Sequence, residues 1–524
     1  MLRETYYRQP TELDRLVYEK LVPAHHYLRQ VKALIDFEAF RDLVRDVYSP
    51  TMGRPAEDPV LLIKLGFLQI HYGLSDREVI AEAQVNVAFR HFLDLSLDSP
   101  LPDPSLLSQF RTRLGEERYQ AIFQEVVRQA REHGLVKDRL RLKDATHVVA
   151  NVAVPSALQL VAQTRQRLLK ALRPYAPERV AEEEQEAERI RAFTSDLRDA
   201  ERLYYRVEHL RRIVNWAEAL VAALGPAPEP PDRNRRVLEQ ALNLACKVLA
   251  DRDDPQARDQ VRSGTDPDAR RGKHGDYFDG YLLDALVDAD SEIITALEVL
   301  PGNGDEGADS EHLLRQEEEA QGNDVAALST DGILSTRGEV VRRLEEEWGV
   351  TVYAPPPPPR TTAEAGFFPP EAFTLDERGE VLTCPAGEQT SLRYPNTHGT
   401  GWRFVFRRSQ CRGCPLQSRC MARLPKNHGR AVIKNDYQAE YERLRARAQT
   451  EVYREVRKEH PKVERKLAEM VNGHGARRAR YRGRWRVKIQ LLMTAVVVNI
   501  KRIVKLLIGS PGAAGALGAA AYGQ

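Results

Sequence analysis

Cysteine is scarce in this chain, five in 524 residues. So few thiols cannot staple a disulfide scaffold. Long hydrophobic runs are missing too. The most apolar stretch, "IQLLMTAVVVNI" from Ile489 to Ile500, is too short to span a bilayer and reads as a buried helix. There is no excess of one charge: the net charge is +2, so the molecule as a whole is not a polybasic binder. The opening "MLRETYYRQPTELDR" is polar and has no apolar core of a secretory signal. A reducing cytoplasm is the expected compartment, and the length suggests about three ordinary domains.

What is present is unevenly distributed. To about residue 135 the pattern is helical. Asp58-Pro59 opens an apolar run ending at Gly73, and Ser75 with Glu78 has the spacing of a capping box. "LPDPSLLSQFRTRLG" puts Leu107, Phe110 and Leu114 on one face and turns Arg111 and Arg113 elsewhere. Such short helices suit either a helix-turn-helix-like DNA binder or an ordinary bundle.

The stretch "LRLKDATHVVANVAV" then reads as a strand. Helical pattern returns from about Ser156 to Ala250, where Ile190, Phe193, Leu197, Ala200, Tyr204, Val207 and Val214 suggest a coiled-coil-type seam in an antiparallel helical insertion. The run Glu182, Glu183, Glu184 reads as a solvated face. From Tyr277 a hairpin is expected, with its turn at Asp288 to Ser291, then a helix at about Ser310 to Ala320 and a strand-helix-strand unit ending at prolines 355 to 359. A long helix is expected from about Asp436 to Met470, and a disordered tail from Gly509.

Three carboxylates and one thiol cluster are the candidates for chemistry, against plain turn or surface residues for the carboxylates. Asp144 interrupts an otherwise apolar strand. Asp331 follows the "VAAL" strand where the chain leaves its sheet, the place where open α/β sheets build sites. Glu464 lies late in the long helix, just before a segment from Arg477 to Lys488 with seven basic residues in twelve and no acid: Arg477, Arg478, Arg480, Arg482, Arg484, Arg486 and Lys488. Tyr481 and Trp485 interleave with them, as phosphate neutralisation with aromatic contact requires. Cys384, Cys411, Cys414 and Cys420 are a candidate structural Zn²⁺ set, reduced buried thiols being the alternative. Trp402 in "GTGWRFVFRR" is a candidate for base stacking, against an ordinary core Trp.

Taken together, "GRPAEDPVLLIKLGFLQIHYGLSDREV", "FRHFLDLSLDSPLPDPSLLSQFRTRLG", "KDATHVVANVA", "TDPDARRGKHGDYFDGYLLDALVDADSEIITALEVLPGN", "STDGILS" and "VERKLAEMVNGHGARRARYRGRWRVKIQLLMTAVVVNIKRI" resemble the DDE transposases of bacterial insertion sequences. The resemblance covers most of the chain. It departs at Ala145, where glycine is common; at Gly332-Ile333, where Gly-Tyr is common; and at Arg457, His460 and Val471, where some relatives carry Tyr, Arg and Lys.

The resemblance implies an α/β RNase H-like core, a mixed sheet flanked by helices, over 136–155, 260–355 and 435–508. It implies an all-α DNA-binding domain over 1–135. The remainder is a helical insertion over 156–259, a small Cys-containing insertion over 356–434 and the tail 509–524. It implies that Asp144, Asp331 and Glu464 are catalytic and hold two Mg²⁺ (or Mn²⁺) ions, Asp144 bridging both. Arg111, Arg113 and the basic segment would contact DNA. The implied partners are double-stranded DNA, both element terminal inverted repeats and target, and a second copy in the synaptic complex, with no membrane. The implied location is the bacterial cytoplasm, with the nucleoid. The alternatives are a domesticated or inactive DNA-binding relative, or an RNase H-like nuclease without strand transfer.

Overall fold

The computed structural model describes residues 10–49, 51–53, 55–226, 232–356, 366–376, 378–397 and 400–509. The expected tail, Gly509 apart, and the end of the proline run lie outside the described residues.

The first segment is helical: α1 (Glu12–Leu21), α2 (Tyr27–Leu34), α3 (Ala39–Leu43), α4 (Pro59–His71), α5 (Asp76–Val85), α6 (Val87–Phe92) and α7 (Ser105–Glu132). Local chemistry sets the boundaries. The Asp58 side chain accepts from the Val60 amide with Pro59 in the first turn, and Ser75 and Glu78 close the capping box. Gly115 adopts φ 63°, ψ −174° and kinks α7 where the sequence reading ended a helix.

A six-stranded sheet follows: β1 (Arg141–Val149), β2 (Arg270–His274), β3 (Asp276–Asp288), β4 (Ile294–Pro301), β5 (Ala327–Ser329) and β6 (Thr351–Tyr353). β3 pairs antiparallel with β1 on one edge and with β2 and β4 on the other; β5 and β6 extend the sheet parallel to β1. The hairpin turn is fixed by Asp288, whose Oδ2 accepts from the Ser291 amide and hydroxyl at 2.8 and 2.7 Å. β1 and β3 approach so closely that a Cβ on Gly280 would stand 2.0 Å from the Val148 carbonyl oxygen, so only glycine fits there. One face carries α12 (Ser310–Gln321) and α13 (Gly338–Glu346), packed through Leu286, Leu313 and Val341.

The other face belongs to a single core running from Leu28 through Leu283 to Val504. It joins the N-terminal helices, the sheet and the C-terminal helix Arg484–Ile508 without a break. Helix α4 is buried along nearly its whole length against that C-terminal helix, where a Cβ on Gly66 would touch Met493 Cε at 3.5 Å.

The insertion is four helices, α8 (Ala157–Leu172), α9 (Pro177–Phe193), α10 (Asp199–Ala223) and α11 (Arg233–Asp253), around their own core of Leu168, Leu210, Ile213 and Ala245. Its expected seam is not continuous. Helix α9 stops at Phe193, and α10 restarts at Asp199 behind an Arg198–Glu201 capping interaction, so Phe193 and Tyr204 are exposed rather than buried. Nor is the acidic run wholly solvated. Glu183 is buried and bonds His209 Nε2 at 2.9 Å and Arg212 at 2.8 Å.

The Cys-containing region has two small antiparallel sheets, β7 (Thr374–Leu375), β8 (Leu382–Thr383) and β9 (Gln389–Thr390), then β10 (Arg393–Pro395), β11 (Trp402–Val405) and β12 (Ala431–Lys434). Beyond it, the single long helix expected from Asp436 to Met470 is three: Gln438–Ala448, Glu451–Glu459 and Pro461–Ala468. Thr450 caps the second by accepting from the Tyr453 amide. Pro461, having no N–H, interrupts the ladder before the third. A π-helical turn, Glu469–Gly473, follows.

Candidate active site and nucleic-acid interface

β1 and β5 are parallel with Leu142 opposite Ser329. Two residues further along each chain come Asp144, inside β1, and Asp331, just past the end of β5, so the register carries both carboxylates to the same level of the sheet. Glu464 arrives from a third element. The helix Pro461–Ala468 packs on β1 through buried Val463 and Leu467 and leaves Glu464 exposed.

Asp144 feels the charges of the other two at its carboxyl. Burial raises its carboxyl, and the charges of Asp331, Glu464 and Glu306 add to that against a hydrogen bond from the Ala145 amide; the result is pushed up to about 7. Glu306, in the loop after β4, is a fourth carboxylate. Burial raises its pKa, Lys143 opposes this, and Asp331 pushes it up further. The sequence reading missed Glu306 because nothing in "GDEGADS" separates it from an ordinary acidic loop.

The supports of the site were also hidden. Arg457 donates to the Thr330 carbonyl at 2.6 Å and to Ser329 Oγ at 3.3 Å, and His460 Nδ1 lies 3.2 Å from the same hydroxyl. Burial and then Arg457 lower the His460 pKa to about 4, so the ring is neutral at physiological pH. These two residues, the departures noted above, tie the glutamate-bearing region to the chain just before Asp331. Glu469, the rival acid, is turned away. It pairs with Lys466 at 3.0 Å and Lys501 at 2.7 Å. Glu464 has no ion pair among the described residues.

The basic segment is stitched to the strand that carries Asp144. The Val149 amide donates to the Arg477 carbonyl at 2.8 Å, and the Ala479 amide donates to the Val149 carbonyl at 2.9 Å. The Arg477 guanidinium reaches Thr146 Oγ1 at 3.2 Å and the His147 carbonyl. Arg478, Arg482, Arg484 and Arg486 are exposed, Arg477 and Arg480 half-buried, and none of the six is paired with a carboxylate among the described residues. Lys488 departs from the expectation of a phosphate contact. It is buried between Glu116 at 2.7 Å and Glu298 at 2.8 Å, because it has entered the C-terminal helix on its inward side.

Arg111 and Arg113 are not free either. Arg111 pairs with Asp76 and stacks on Tyr481 at 5.1 Å; Arg113 stacks on Tyr48 at 5.2 Å. Arg111, Arg480, Tyr481, Arg482, Trp485 and Arg486 line one open groove of about 430 Å³ where the N-terminal helices meet the basic segment. Trp402 lies in the Cys-containing region, 38% exposed, with the Arg393 guanidinium 4.6 Å above its ring.

The four clustered cysteines all line one narrow cavity with Phe373 and Phe406. Cys246 is elsewhere, on α11, 3.7 Å from Glu218. Among the described residues no three His, Cys, Asp or Glu side chains are already arranged around a point as metal ligands. The carboxylate set still fits a hard divalent cation. Its donors are all oxygen, Glu464 has no ion pair among the described residues, and Asp144, raised first by burial and then by the charges of Asp331, Glu464 and Glu306, is a carboxylate that a cation would stabilise in its ionised form.

Two family models match the chain: a transposase domain (DUF772) over residues 16–113 and a transposase DDE domain over residues 383–504. The first spans α1 to the middle of α7. The second spans the four cysteines, Glu464 and the basic segment, and stops short of Asp144 and Asp331. No curated protein matches the chain. The class is therefore that of the transposases. Within it, the two matches support a DDE transposase of an insertion element.

Proposed function

We propose that this transposase binds the ends of its own element, cuts there by metal-dependent phosphodiester hydrolysis, and joins the freed 3′-hydroxyl to target DNA. What supports the reading is that Asp144 and Asp331 each lie two residues beyond the paired Leu142 and Ser329 of adjacent parallel strands, with the charge of Glu464 felt at Asp144, beside an arginine segment that has no carboxylate partner among the described residues. The sheet, an antiparallel β4-β3-β1 half continued by parallel β5 and β6, supports an RNase H-like core.

In this reading Asp144, Asp331 and Glu464 hold Mg²⁺ or Mn²⁺, two ions. Bound there, such ions activate the attacking water and stabilise the leaving oxygen. The protein's own contribution is placement. The rigid β1 fixes Asp144, Arg457 and His460 fix the approach to Asp331, and the arginines hold the DNA backbone. Arg111 and Arg113 take part by turning from their present partners toward phosphate. Trp402 stacks on an unpaired base near the cut. Two copies assemble with two element ends in the cytoplasm.

The test uses the inverted repeats flanking the gene as labelled duplexes, with Mg²⁺ and a supercoiled target. Cut ends joined to the plasmid are the expected result. Cutting without joining would leave a nuclease, and binding without cutting would leave an inactive relative.

A further inference from the structure

The thiol cluster plays no part in the proposed reaction, and its surroundings make it a site. We propose that Cys384, Cys411, Cys414 and Cys420 bind one structural Zn²⁺ that holds the small region between β7 and β12 together.

Three observations carry this. First, four thiols from three separate pieces of chain, 36 residues apart at the extremes, border one cavity. That cavity has a volume of about 20 Å³, room for roughly one water-sized particle. A single ion fits that space.

Second, the backbone around the sulfurs is built as tight turns that present them. Cys384 sits on the turn between β8 and β9, where the Gly387 amide donates to the Cys384 carbonyl at 2.9 Å and Gly387 takes φ +87°. Cys411 and Cys414 flank Gly413 at φ +79°. The Arg430 amide donates to Cys411 Sγ at 3.3 Å and fixes the position of that sulfur. A side chain on Gly429 would strike that sulfur, since its Cβ would stand 2.5 Å from it. Ligation requires the sulfurs to turn about their Cα–Cβ bonds into the cavity they line, each thiol releasing its proton to solvent.

Third, the region is short of other support. Among the described residues its central apolar cluster is Phe373, Leu382, Phe404, Phe406 and Val432, and its described strands are two to four residues long. A core of that size does not hold a fold of this kind unaided; a four-thiolate zinc does.

Full-length protein purified without chelator should carry about one zinc per chain by elemental analysis. Replacing that metal with Co²⁺ should give thiolate-to-cobalt charge-transfer absorption with tetrahedral ligand-field bands. Cys411→Ser with Cys414→Ser should lose the metal; Cys246→Ser should keep it. If the double variant does not fold, a mercurial titrated into the native wild type should release zinc as the thiols react. Folded protein without zinc, with all four thiols alkylated at native pH, would overturn the proposal. So would a mass short by the hydrogens of two disulfides.

Discussion

At Glu464 and Glu469 two acids five residues apart have opposite surroundings. Glu464 stands unpaired toward Asp144, whereas Glu469 is locked between Lys466 and Lys501. Glu464→Gln should therefore abolish Mg²⁺-dependent cleavage of a labelled element end while leaving its gel shift intact. Glu469→Gln should still cut but unfold earlier, by about 1 kcal/mol. A cutting Glu464→Gln paired with an inactive Glu469→Gln would move the third carboxylate to 469. Arg141 and Glu317 are both fully inaccessible and lie 2.6 Å apart. Burial would raise the Glu317 carboxyl, but Arg141 and its hydrogen bonds outweigh this and hold it below the usual range. A depressed carboxyl stabilises the fold above its unfolded pKa, near 4.5, and that contribution is lost as pH falls through the folded value. Glu317→Gln should cost about 3–5 kcal/mol at neutral pH in urea melts, and less as the medium is acidified below 4.5.

Among the elements, the basic segment divides sharply. Arg482→Ala with Arg486→Ala should weaken binding to every DNA sequence and reduce the salt slope by about two units, about one per lost phosphate contact. Lys488→Ala should leave that slope unchanged and lower the melting temperature, since it strands Glu116 and Glu298. The sequence could not separate Lys488 from its neighbours, because only the helix that begins at Arg484 decides which side each faces. Caps were legible for the opposite reason. Asp58 and the Ser75–Glu78 pair act within one turn, so local sequence contains the whole interaction. The hairpin turn at Asp288 was readable likewise. The carboxylates were legible as types in order, but their meeting depends on the parallel register of β1 and β5, a long-range fact. The broken helix before Glu464 was missed because Thr450 and Pro461 were read as interior to one long periodic pattern. The acidic run misled in the same way: Glu183 differs from Glu182 and Glu184 only through His209 and Arg212, 26 and 29 residues on.

For the molecule as a whole, cores rather than sequence segments define the units. The helical insertion has its own core, so residues 155–263 expressed alone should fold as a helical unit with a cooperative thermal transition by circular dichroism. Residues 136–524 should not fold, because the sheet and the C-terminal helix would lose the N-terminal helices that cover them. A soluble, cooperatively melting 136–524 fragment would show that the shared core is dispensable.

The continuity of that core also governs how the chain must be made. Helix α4, apolar on nearly every side, leaves the ribosome more than 400 residues before the end of the helix it packs against at Ile508. At roughly 5–20 residues per second, it waits on the order of 20–90 s for its partner. Until the helix Arg484–Ile508 emerges, the growing chain therefore carries an oily surface on α4 that this helix covers in the folded molecule, a surface that escorts could shield during translation.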